Sequence, residues 1–163
     1  MTVLKYVTGL FAIFLITFFP IIVRSEDICE ESADRVESYL TSYVDKVAAG
    51  GVIEDTGLKK LISSLAREPD VYEVCVTAYI KHIVPGGESY FVTVENGQIR
   101  SILDRKEKLF LSEGDTVRVS ARVTVPSLFS KITGRYDSQT EREAREFSCG
   151  RRIGHIRTDT VVA

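Results

Sequence analysis

Residues 6–23 read YVTGLFAIFLITFFPIIV, a run of 18 residues without a charge. As an α-helix rising about 1.5 Å per residue, the run is about 27 Å long, enough to cross the hydrocarbon core of a bilayer. Tyr6, Leu10, Phe14, Phe18 and Val23 mark its course. Lys5 precedes it, and Arg24 follows with Glu26, Asp27, Glu30 and Glu31. One cation at each end orients a helix weakly, and acids count little towards orientation. The reading adopted places the N-terminus in the cytoplasm and the rest outside. Two fates remain open. Val23-Arg24-Ser25 is a plausible edge for signal-peptide cleavage, with Pro20 breaking the helix ahead of it. Alternatively the segment stays as an anchor that Pro20 only kinks. The chain therefore divides into an N-terminal anchor or signal, residues 1–25, and one extracytoplasmic domain, residues 26–163. A domain of that length can bury one core.

Beyond Arg24 the hydrophobic period is first helical. Cys29, Ala33, Val36, Leu40, Tyr43, Val44 and Val47 form one stripe over residues 27–49, and Gly50-Gly51 ends it. A second helix follows, capped by Asp55 or Thr56, with Leu58, Leu61, Ile62 and Leu65 as its buried side. The period then changes to two. Val74, Val76, Ala78 and Ile80 alternate with polar neighbours, as expected for a half-buried strand. Pro85-Gly86-Gly87 breaks that strand, and residues 89–95 form the next. Asn96-Gly97 reads as a hairpin turn that returns residues 98–103 as a partner strand. Residues 116–125 alternate most regularly, and the apolar side needs a helix against it, for which Leu40, Val44 and Val47 are the nearest candidates. Residues 127–134 read as irregular, residues 139–147 as a short helix capped by Ser138, and residues 153–162 as an edge strand. The expected class is α+β: a long N-terminal helix, part membrane segment and part amphipathic extension, packed on an antiparallel sheet.

The residues that carry chemistry are sparse. A net charge of −2, with both signs interspersed, gives no nucleic-acid footprint. Arg135, Arg142, Arg145, Arg151, Arg152 and Arg157 bias the tail, partly offset by Glu141, Glu143 and Glu146. That bias reads as a solvated face, with binding of anionic lipid or a polyanion as the alternative. His82 and His155 stand apart, and no metalloprotease, nucleophile-elbow or phosphate-loop motif occurs. Glu30 and Glu31 point about 100° apart on a helix and do not converge. Cys29, Cys75 and Cys149 have no metal-site spacing. One bridge, Cys75 to Cys149, is open to them outside the cytoplasm, as is the alternative of three free thiols. The expectation is a protein without catalytic residues, cofactor, metal, nucleic acid or small-molecule substrate.

One layout is informative as a whole. An apolar helix leads into an amphipathic one ending Val47-Ala48-Ala49-Gly50-Gly51-Val52-Ile53. Leu58-x-x-Leu61-Ile62-x-x-Leu65 follows, then Tyr72-Glu73-Val74-Cys75-Val76. Later, residues 117–125 lead into Pro126-Ser127-Leu128-Phe129 and Gly134. Over residues 6–134 this resembles the TadE-type, pilin-like proteins of tight-adherence pili. The resemblance implies a pilin-like fold and a structural role in a pilus or secretion assembly. Its partners would be membrane lipid, other pilin-like subunits or assembly-platform proteins. Gly9 stands where such proteins have a processing glycine, but the acid that usually follows is missing from Leu10-Phe11-Ala12-Ile13-Phe14. The expected form is a single-pass membrane protein, and the alternative is a secreted or periplasmic binding module cleaved near Ser25.

Overall fold

A computed structural model describes residues 2–85, 88–133 and 146–153. Its first element, helix α1 (Thr2–Gly50), runs 49 residues without interruption. Pro20 lies inside it and does not end it. Proline removes one backbone donor and crowds the preceding turn, yet α1 runs on through it to Gly50. Gly51 closes the helix in the left-handed conformation (φ 62°), where a Cβ would be strained, and its N–H returns to the Val47 carbonyl.

Strand β1 (Val52–Ile53) follows at once, and helix α2 (Asp55–Leu65) after it. Glu54, rather than Asp55 or Thr56, is the residue at the start of α2, and its side chain makes no cap bond. Leu58, Leu61 and Leu65 are buried as expected, whereas Ile62 is 41% exposed. Next come the strands β2 (Val71–Ile83) and β3 (Ser89–Val94), helix α3 (Asn96–Asp104), and the strands β4 (Leu109–Phe110) and β5 (Thr116–Val125). A short helix α4 (Leu128–Ile132) and strand β6 (Glu146–Arg152) complete the described elements. The four longer strands form one antiparallel sheet in the order β3-β2-β5-β6, and β1 pairs with β4 in a separate ladder. This is the α+β arrangement expected from the sequence, a long N-terminal helix on an antiparallel sheet, and it is consistent with a pilin-like fold.

The core lies where α1 crosses the sheet. Val36, Leu40, Val44 and Val47 of α1 meet Val117, Val119 and Ala121 of β5 and Val74, Val76 and Ala78 of β2, all essentially closed to water. Period 3.6 on the helix and period 2 on the strands thus present their apolar sides to one another. The helix is also tied to the head by polar contacts at successive heights. Cys29 meets Ser130 and Thr133, Ser32 donates to Glu68, Thr41 donates to Cys149, and Asp45 pairs with Arg151. Arg35 brackets the Glu68 carboxylate, whose side chain is buried, from the same helix.

Several expectations change. Residues 98–103 are not a strand and Asn96-Gly97 is not a hairpin turn, because both belong to α3. The Glu95 side chain accepts from the Gln98 backbone and the Gln98 side chain accepts from Glu95 N–H, a reciprocal cap that starts a helix there. The helix also solves an edge problem. β3 pairs only with the outer part of β2, up to Ala78. Beyond it, Asn96 accepts from Val76 N–H and Arg100 donates to the Val74 carbonyl, so side chains of α3 replace the missing strand. Residues 128–132 of the segment read as irregular are helical, with Ser127 as the cap through its bond from Ser130 N–H. Phe147 sits in a strand instead of a terminal helix, and Ile153 lies just past the end of β6, its N–H bonded to the Asp115 carbonyl. The supposed tail helix over residues 139–145, the rest of the supposed edge strand after Ile153, the Gly86-Gly87 break, Gly134, Arg135, Arg142, Arg145, His155 and Arg157 lie outside the described residues.

Candidate functional site

The lower half of α1 is the most unusual surface of the chain. Tyr6, Leu10, Phe14, Phe18 and Val23 are all exposed, from 76% at Tyr6 to 41% at Val23, and no part of the head covers them. Their neighbours Phe11, Ile13, Ile16 and Phe19 are exposed too, so the apolar character runs around the whole helix. Phe14 and Phe18, one turn apart, stack with ring centroids 4.3 Å apart. Thr17 donates to the Ile13 carbonyl and, just past the segment, Ser25 donates to the Ile21 carbonyl. A helix whose exposed side chains are nearly all apolar suits hydrocarbon and is costly in water. The segment is long and apolar enough to cross a membrane.

Elsewhere the described surface offers a groove of about 470 Å³ between α1 and α2, lined by Tyr39, Tyr43, Glu54, Thr56 and Lys60 among others. Gly57 forms part of its wall, where a Cβ would come within 3.5 Å of the Tyr43 ring. The Lys108 ammonium holds the Glu54 carboxyl below the usual carboxylate range, and Asp55 raises Lys59. These are exposed pairs of opposite sign, and of their four residues only Glu54 lines the groove.

Tyr43 behaves differently. It is 6% exposed, its hydroxyl has no hydrogen-bond partner, and burial pushes its pKa up to about 12. Because the folded value lies above the ordinary value of about 10, Tyr43 supports the fold fully below pH ~10 and loses that support as pH rises towards 12. Tyr43→Phe removes an unsatisfied hydroxyl and should raise stability at neutral pH by about 1 kcal/mol. It should also flatten the loss of stability between pH 10 and 12, read from urea midpoints across that range.

The thiols are separate. Cys29, Cys75 and Cys149 are not joined in a disulfide. The suggested Cys75–Cys149 bridge is not formed, and the register explains why. Cys75 pairs with Ser120 and Cys149 with Val119, so β5 runs between the two. Two strand spacings are about 9.6 Å, beyond the reach of a disulfide. The two thiols also use opposite faces: Cys149 meets Thr41 on α1, and Cys75 meets Asn96. His82 stacks on Tyr90, with centroids 5.4 Å apart, at the open end of the sheet. Among the described residues no group of three His, Cys, Asp or Glu could hold a metal ion.

Sequence reasoning located the apolar segment and missed α4, Asp70 and the α3 edge. Asp70 accepts from Ser127 N–H and the Ser130 hydroxyl, which ties α4 to the turn before β2. The Ser127-x-x-Ser130 spacing was the available signal for that cap. Among known proteins, no family, no curated sequence and no solved structure matches this chain.

Proposed function

We propose that this chain is a membrane-anchored, pilin-like subunit of a tight-adherence or type IV-like pilus or secretion assembly, and that its role is structural. One observation carries the reading. A single unbroken helix is exposed and apolar below Arg24 and is the central support of a folded head above it. Such a helix must bury its lower half in lipid or among copies of itself, because water would solvate twelve Leu, Ile, Phe and Val side chains there at large cost. The head then faces out, and assembly joins it to further pilin-like subunits or to a membrane platform. Retention of the segment, rather than cleavage near Ser25, agrees with the local structure. Ser25 is 1% exposed and bonds back to Ile21, so the head begins on the turn that cleavage would divide.

Fractionation of cells producing the full chain tests this. The protein is expected in the membrane fraction, resistant to alkaline extraction, and larger than one chain in mild detergent. Recovery of the head as a free, monomeric soluble protein after export would point to a secreted binding module instead.

A further inference from the structure

The contacts between α1 and the head run in order along the helix. Cys29 meets α4, Ser32 and Arg35 meet Glu68, Thr41 meets Cys149, and Asp45 meets Arg151. The sheet therefore has a lower end, where Val71 pairs with Val125 and α4 follows, beside the apolar half of α1. Its upper end lies beside Gly51, whose carbonyl bonds Leu111 next to β4. The lower end is apolar on its outer side. Val71, Val125, Leu128, Phe129 and Ile132 are exposed there, Leu128 at 69%.

At 100° per residue, Leu128, Phe129 and Ile132 share one side of α4, while Ser130 and Thr133 turn to Cys29. The height also fits. Cys29 lies six residues above Val23, about 9 Å along the helix. The headgroup layer occupies about 5–7 Å beyond the hydrocarbon on each side, and a Phe or Leu side chain on α4 can span the difference.

We infer that this lower end is a second membrane-contact surface, with Leu128, Phe129 and Ile132 seated in the headgroup layer of the bilayer that α1 crosses. The inference rests on the anchoring reading above and adds that the head stands on the membrane at two places. The height of α4, which meets α1 at Cys29 only six residues above Val23, selects lipid as the occupant. Two contacts fix the tilt of the head, which one helix alone leaves free.

The chain contains no Trp, so single-Trp variants report depth directly. Phe14→Trp, Phe129→Trp and Phe110→Trp are reconstituted as full chains in phosphatidylcholine vesicles, with and without bromine high on the acyl chains. Phe110, 74% exposed at the upper end, is the water-side reference. Expected are strong quenching at position 14, a blue-shifted and partly quenched emission at 129, and neither at 110. Circular dichroism checks the fold, and Leu128→Trp replaces Phe129→Trp if that variant misfolds. Quenching at 14 with position 129 behaving like 110 overturns the second contact and leaves the anchor standing. No quenching at any of the three positions overturns the anchor itself, and the inference with it.

Discussion

Leu40→Ala is expected to lower the unfolding free energy of the head by about 2–5 kcal/mol. Leu40 is 1% exposed and sits at the centre of the cluster shared by α1 and the sheet. The lost side chain leaves a cavity between a 49-residue helix and paired strands, neither of which can collapse freely onto it. Domains are stable by only about 5–15 kcal/mol, so this is a large share of the total. Urea unfolding of the full chain in mild detergent, followed by circular dichroism, should show a lower midpoint with an unchanged slope. Ile62→Ala, at a position 41% exposed on α2, should cost clearly less. Equal effects at the two positions would mean that α1 does not form the core with the sheet.

Phe14→Arg combined with Leu15→Arg should release the chain from membranes. The segment holds twelve Leu, Ile, Phe and Val residues, which together favour insertion by about 4–7 kcal/mol, whereas each central Arg opposes it by about 2.5–3.5 kcal/mol. Two arginines therefore offset the whole driving force. Flotation with phosphatidylcholine vesicles reads the result: the parent chain floats and the double variant stays at the bottom of the gradient. Because no residue around positions 14 and 15 is buried by the head, the circular dichroism of the head should not change. A double variant that still floats would show that something other than residues 6–23 holds the chain to lipid.

Much of this architecture is written in local periodicity. The stripe from Cys29 to Val47 and the alternation from Val117 to Val123 are both buried in the structure as their spacing requires. The apolar segment was equally legible, since composition alone sets it apart. What failed was decided elsewhere in the chain. Asn96-Gly97 carries a hairpin signal, but the Glu95–Gln98 cap and the unpaired edge of β2 favour a helix at the same residues. β1 and β4 are two residues each and exist only because the chain returns to Gly51. The thiol pairing depended on strand order and register, and a spacing of 74 positions between Cys75 and Cys149 holds neither. Pro20 marks a break in many sequences, and here α1 runs through it.

The whole account depends on α1 remaining one piece in the mature protein. Mass spectrometry of the intact chain, extracted from membranes after expression in cells, measures this directly. The account predicts a mass that retains residues 6–23 and the segment on to Ser25. A mature chain that begins at Glu26 and is recovered without membrane would contradict it.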